Sequence, residues 1–192
     1  MVERKRLTAS DWTAAALDAL GRGGLAAVAV EPIAARLGTT KGSFYWHFSN
    51  RDALLEAALL RWERVHTEEI IALVDTDPDP HSRLRHLMTL TLAPTTTADR
   101  PGHRVLLALQ ASASHPLVAP VFARVTQRRL DYVTGLFTAS GFPPEEARRR
   151  SLLAYTAYLG HTNLADASPE LVPVGAEQRD YVDAVVATLT RR

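Results

Sequence analysis

Residues 39–50 read TTKGSFYWHFSN, and Phe44, Tyr45, Trp46, His47 and Phe48 set five rings in a row in a chain that is only 7% aromatic. Three of those rings, Tyr45, Trp46 and His47, carry a hydrogen-bonding group. Lys41 stands just before them and Arg51 just after. Cations beside polar rings suit contact with a partner better than they suit bond-breaking. Two other constellations hold chemistry-bearing residue types. Glu63 and His66 have the Glu-x-x-His spacing of di-iron helical bundles, but a working site needs two such pairs and two more glutamates. The chain supplies one pair. Ser112, Ser114 and His115 lie too close in sequence for a triad, and no nucleophile elbow is present.

Bulk composition narrows the field. The 192 residues suffice for one large core or two small ones. With 46% hydrophobic and 22% charged residues the composition is that of a soluble chain. No apolar run approaches the roughly 18 residues of a membrane span, and the basic N-terminus has no apolar stretch behind it as a secretory signal would. The absence of cysteine excludes disulfides, thiolate metal sites and cysteine nucleophiles, and fits a cytoplasmic protein. The net charge of +1 conceals an asymmetry. Residues 1–51 hold seven basic and four acidic side chains, a net of +3, and the remainder nets −2. Both lysines, Lys5 and Lys41, lie in the first part, the sign expected of a nucleic-acid-binding N-terminus.

The elements that must position the ring cluster are helical. Arg4-Lys5-Arg6 reads as a basic arm. Thr8 and Asp11 resemble a capping box, and Trp12, Ala15, Ala16, Ala19 and Leu20 then recur at helical spacing. Gly21, Gly23 and Gly24 predict the end of that helix. Pro32 suits the first turn of a second helix, with Ile33, Ala34 and Leu37 on its apolar side and Gly38 at its end. A third helix is expected from about Thr40 to Phe48. Four residues of helix turn through about 400°, so Phe44 and Phe48 share a face and can pack inward. Tyr45 and Trp46 then project outward. Asn50 or Ser49 caps a fourth helix that runs unbroken to Val74. Further helices are expected at about 80–93, 102–114, 117–140, 144–166 and 175–190, with prolines at 94, 101, 116, 143, 144, 169 and 173 marking the breaks. The predicted architecture is all-α, about nine helices, with a three-helix head over residues 1–51 and a helical body over 52–192.

A helix ending at Leu37-Gly38, a Thr39-Thr40 turn and a short second helix make a helix-turn-helix. In such motifs the second helix enters the DNA major groove with its N-terminal residues leading. Thr40, Lys41, Gly42 and Ser43 occupy that end. The stretch VAVEPIAARLGTTKGSFYWHFSNRDALLEAAL, residues 28–59, resembles the signature of the tetracycline-repressor (TetR) family of bacterial transcriptional regulators. The resemblance lies in Ile33-Ala34, Leu37-Gly38, Gly42-Ser43-Phe44-Tyr45, Trp46-His47-Phe48, Asn50-Arg51 and Leu54-Leu55. It implies that Lys41, Gly42 and Ser43 face base edges or nearby phosphates. It further implies that Tyr45, His47 and Arg51 contact phosphate and that Trp46 packs near the DNA backbone. Val30 and Glu31 fall where the second helix meets the backbone, and Glu31 departs from the basic or polar residue often found there.

The resemblance also implies a body that binds a small inducer and dimerises through its last two helices. Polar or aromatic residues in otherwise apolar helical runs are the ligand candidates: Trp62, His66, Gln110, Tyr155 and His161, with Tyr158 and Asn163 beside them. Leu152, Leu159, Val182, Val185, Val186 and Leu189 are the dimer-interface candidates. The expectation is a repressor released from a palindromic operator by a small molecule, with no metal or cofactor and no membrane. Two alternatives stand beside it: a helical metal-dependent enzyme using Glu63 and His66, and a ligand-independent DNA-binding protein of the same fold.

Overall fold

The computed structural model describes residues 7–93 and 101–192, so the Arg4-Lys5-Arg6 arm and the break expected at Pro94 lie outside the described residues. Among the described residues every regular element is helical. The α-helices are α1 (Ala9–Gly23), α2 (Val30–Arg36), α3 (Lys41–Phe44), α4 (Arg51–Glu63), α5 (Glu69–Val74), α6 (Pro80–Thr91), α7 (Pro101–Ala111), α8 (Val118–Ala139), α9 (Pro144–Ala167) and α10 (Ala176–Thr190). A π-helical turn, Arg64–Glu68, joins α4 to α5 without a break. Counted as one helix with that turn, they bring the described total to nine, as expected.

Local chemistry explains most boundaries. The Thr8 Oγ1 accepts from the Asp11 amide at 3.3 Å, and Asp11 Oδ2 accepts from the Thr8 amide at 2.7 Å, which completes the capping box. Gly21 and Gly23 remain inside α1. Gly24, at φ 65°, ends it, because only there does the backbone turn left-handed. Asn50, not Ser49, caps α4: its Oδ1 accepts from the Ala53 amide at 2.9 Å. Asp79 caps α6 in the same way, accepting from the amides of His81 and Ser82 at 3.0 Å each.

The sequence predicted an unbroken helix to Val74, and the π turn is the departure. A π turn widens the helix by one residue and misaligns its backbone carbonyls. Arg129 on α8 meets that defect: its Nε donates to Thr67 Oγ1 and its Nη2 to the His66 carbonyl, each at 3.0 Å. The apolar period of the sequence carries no sign of this, since the partner lies more than 60 residues away.

The described residues pack as two compact units. One comprises the described part of Met1–Val65 with Pro101–Phe122, and the other the described part of His66–Arg100 with Ala123–Arg192. Packing therefore groups more than residues 1–51 with the head. Both α4 and α7 pack on α1, around Trp12, Ala16, Leu20, Leu55, Leu59 and Leu106, all essentially buried. In the second unit, Val74, Leu84 and Met88 pack with Phe137 and Phe142 and with Val182, Val186 and Leu189 of α10.

The same packing takes up most of the α10 residues expected at a dimer interface. Val182, Val186 and Leu189 are each no more than 3% exposed, buried in the core of their own chain, and Val185 packs against that core. An amphipathic terminal helix must bury its apolar stripe somewhere, and here its own unit takes it.

Candidate nucleic-acid interface

The head is assembled around Phe44. Two backbone bonds close α2: the Gly38 amide donates to Ala35 O at 3.1 Å and the Thr39 amide to Ala34 O at 3.0 Å. Gly38 sits at φ 66°, the left-handed value this ending requires. The chain then extends through Thr40, whose Oγ1 accepts from the Ser43 amide and caps α3. As a regular helix α3 is a single turn, shorter than the Thr40–Phe48 span expected. The Phe48 amide still reaches Phe44 O at 3.0 Å, so the two phenylalanines meet as the helical spacing predicts. Their rings stack with centroids 5.7 Å apart, and Phe44 meets Trp12 edge-on at 5.4 Å. One turn of helix has no stability of its own in water. Burying a ring like that of Phe44 contributes about 1.5–3 kcal/mol, and Phe44 is fully buried.

Tyr45 and Trp46 project outward, 58% and 87% exposed. An indole left in water on a well-packed head is the least expected large side chain of the surface. Thr40, Lys41 and Gly42 are exposed beside it, and Ser43 and His47 are half-buried. No protein atom requires a glycine at 42: a Cβ there would meet Thr40 Oγ1 at an ordinary 3.6 Å.

Two cations of this surface are already engaged. Lys41 Nζ donates to Glu31 Oε1 on α2 at 2.8 Å. The hydrogen bond and then the charge of Lys41 lower the Glu31 pKa, and Glu31 raises that of Lys41. Arg51 donates through Nε to Val28 O at 2.7 Å and through Nη2 to Leu25 O at 2.6 Å. It thus pins the α1–α2 connection to the start of α4. This structural duty was invisible in the sequence, because the acceptors are backbone carbonyls 23 and 26 residues away. A guanidinium has five N–H donors; the Nη1 of Arg51 lies 3.4 Å from Asp52 Oδ1, and the side chain is partly exposed.

The surface is therefore aromatic and cationic, built on the leading end of a helix. Among the described residues no group of three or more His, Cys, Asp or Glu side chains is placed to hold a metal. Glu63 ends α4 while His66 lies in the π turn, where three-residue spacing no longer keeps α-helical geometry.

The body candidates divide between the units. In the first, Trp62 is buried and stacks on Phe122 at 6.3 Å, and the Gln110 Oε1 is buried without a hydrogen-bond partner. In the second, Tyr155 OH lies 3.3 Å from Thr126 Oγ1 and its ring 6.1 Å from that of Tyr158. Burial pushes the Tyr158 phenol up in pKa. His161 is 6% exposed and stacks on Tyr181 at 5.7 Å. Its Nε2 is buried without a partner, and desolvation lowers its pKa. His66 lends its carbonyl to Arg129. Asn163 faces outward and bonds Leu159 O. An open cleft of about 370 Å³ in the second unit, lined by Asp79, His81, Phe142 and Arg192 among others, includes none of these residues.

The family model of bacterial regulatory proteins, tetR family, matches residues 13–58, the span from α1 through α2 and α3 into α4. No curated protein matches the chain at a significant level. Among solved structures, a transcriptional regulator from Rhodococcus sp. Rha1 is 22% identical, with 95% of this chain and 96% of that one covered at a TM-score of 0.77. A transcriptional regulator from Saccharomonospora viridis, in complex with choline, is 20% identical, with 93% and 94% covered at 0.79. AibR, in complex with isovaleryl coenzyme A and operator DNA, is 19% identical, with 97% of each chain covered at 0.68. At such identities these likenesses establish the fold, over nearly the whole length. The likeness to the TetR family of bacterial transcriptional regulators is thus carried by residues 13–58, and beyond them it is a likeness of fold.

Proposed function

We propose that the chain acts as a homodimeric repressor whose two heads read the halves of a near-palindromic operator and which a small molecule bound in the body releases. The observation that carries this is the exposed Tyr45-Trp46 pair beside the leading end of α3, held out by a buried Phe44. Residues 1–51 are the DNA-reading part and 52–192 the ligand-binding and dimerising part. Thr40, Lys41, Gly42 and Ser43 face base edges, while Tyr45, Trp46, His47 and the remaining donors of Arg51 meet the backbone. The protein works by binding, without catalysis, in the cytoplasm; no described helix is long and apolar enough to cross a membrane.

Dimerisation is assigned to the outward face of α9. Leu152 and Leu153 are each 55% exposed, and Thr156, Gly160 and Leu164 continue that face at helical spacing. The inducer is a small, largely apolar molecule, and Trp62, His66, Gln110, Tyr155 and His161 are its proposed contacts. Relatives of this fold hold choline in one case and isovaleryl coenzyme A with operator DNA in another, which supports a ligand-responsive body here. A ligand releases DNA only through unequal affinity for the two states of the protein.

The test begins with duplexes selected by the purified protein from a random-sequence library. Binding to them should weaken steeply with salt, as phosphate contacts release counterions, and a ligand found in a fluorescence panel should lower that affinity. Operator should lower the ligand's affinity by the same factor. A ligand that binds equally well with and without operator would remove the switch.

A further inference from the structure

The ion pair between Glu31 and Lys41 joins the first turn of α2 to the first residue of α3 across the turn of the helix-turn-helix. Its side chains are 71% and 54% exposed. Such a pair adds little to folding, since water screens it and two flexible side chains must be held. Its position is what matters: an acid sits on the DNA-facing surface, beside the one lysine of the described residues. We infer that Glu31 is a specificity-determining residue of the head, holding Lys41 as an oriented reader of base edges and away from indiscriminate phosphate contact. This rests on the DNA-binding reading above.

An unpaired lysine at the leading end of α3 would be drawn to any phosphate, a contact that carries no sequence information. Glu31 cancels its charge locally, so the pair gains little from a random duplex. The carboxylate also repels neighbouring phosphates, which penalises wrong sites. An ammonium has three donors. One is committed to Glu31, and two remain for the O6 and N7 acceptors that guanine presents in the major groove. The carboxylate thereby fixes the direction in which a flexible four-carbon stem points, at the cost of some raw affinity.

The experiment compares wild type with Glu31→Gln and Lys41→Ala on a selected duplex, its single-base-pair variants and a scrambled duplex. Glutamine keeps an acceptor for Lys41 and removes the charge. Glu31→Gln should bind the scrambled duplex about threefold tighter per head, with a log-affinity against log-salt slope steeper by about 0.9 per head. Its preference for the selected duplex should fall, and it should relax at the same base pair that Lys41→Ala relaxes. Unchanged slope and preference in Glu31→Gln, or relaxation at a different base pair, would overturn the inference. Wild type that retains no duplex at low salt would instead sink the DNA-binding reading itself. The side chain is exposed, so circular dichroism should show both variants folded.

Discussion

Gly42 shows how a single residue can separate folding from function. Nothing in the head crowds it, and its φ is not left-handed. Replacing it with alanine should therefore stabilise the head, by up to about 1 kcal/mol on helix propensity alone. On the proposed DNA-binding role, affinity for a duplex should nevertheless fall, because the added methyl would stand between α3 and the bases. Chemical denaturation and duplex titration of Gly42→Ala read the two effects separately; unchanged affinity would remove the close-approach role. His161 makes a second residue-scale prediction. Burial holds its pKa below the ordinary 6.5, so the folded chain resists the proton that the unfolded chain accepts. Stability should be full above about pH 6.5 and decline as pH falls toward the depressed folded value. His161→Phe, which can keep the stack on Tyr181, should flatten that decline in urea unfolding. An equal slope in both proteins would place the acid sensitivity elsewhere.

At the scale of elements, α1 and α7 approach closely at Gly21. A Cβ built there would meet Arg104 Cβ at 3.3 Å and Val105 Cγ2 at 3.4 Å. The glycine that the sequence offers as a helix end is thus a packing surface inside the helix. Alanine asks the neighbours to yield slightly and gains helix propensity in return. Leucine cannot be accommodated without parting the helices, and overpacking of this kind costs about 1–3 kcal/mol. Gly21→Leu should lower the urea midpoint, while Gly21→Ala stays near wild type. Equal stability of Gly21→Leu would show that α7 is not tightly seated. The π turn is the other element that packing decides. Arg129 supplies the donors that its displaced carbonyl and Thr67 require, so Arg129→Met should raise amide exchange selectively around residues 64–69.

For the whole molecule, the decisive question is which apolar face is left for a second copy. Leu152 stands out in solvent, whereas Leu189 is 3% exposed within its own core. Leu152→Asp should therefore give folded monomers in light scattering, with cooperative unfolding retained. Leu189→Asp should instead lose the fold, because it buries an unpaired carboxylate. Folded dimers in Leu152→Asp would move the interface off this face of α9. Monomers should also bind the palindrome weakly, since two heads in successive major grooves, about 34–36 Å apart, reinforce each other only when joined.

Much of this protein is written locally. The Thr8-Asp11 box, the Asn50 cap, the 3.6-residue apolar period and the Gly38 turn each depend on residues within a few positions, so element type and most boundaries could be read directly. The ring arrangement was legible for the same reason: a four-residue separation alone puts Phe44 and Phe48 on one face and turns Tyr45 and Trp46 away. What sequence could not supply were contacts between distant segments. Arg51 finds the carbonyls of Leu25 and Val28, Lys41 finds Glu31, and Arg129 finds the π turn, none of which leaves a periodic trace. The stripe on α10 was visible as apolar, but an apolar stripe does not say which surface it meets. Burial against any hydrophobic face is favourable in proportion to area, without direction, so only the tertiary structure decided that its partner is the chain's own core.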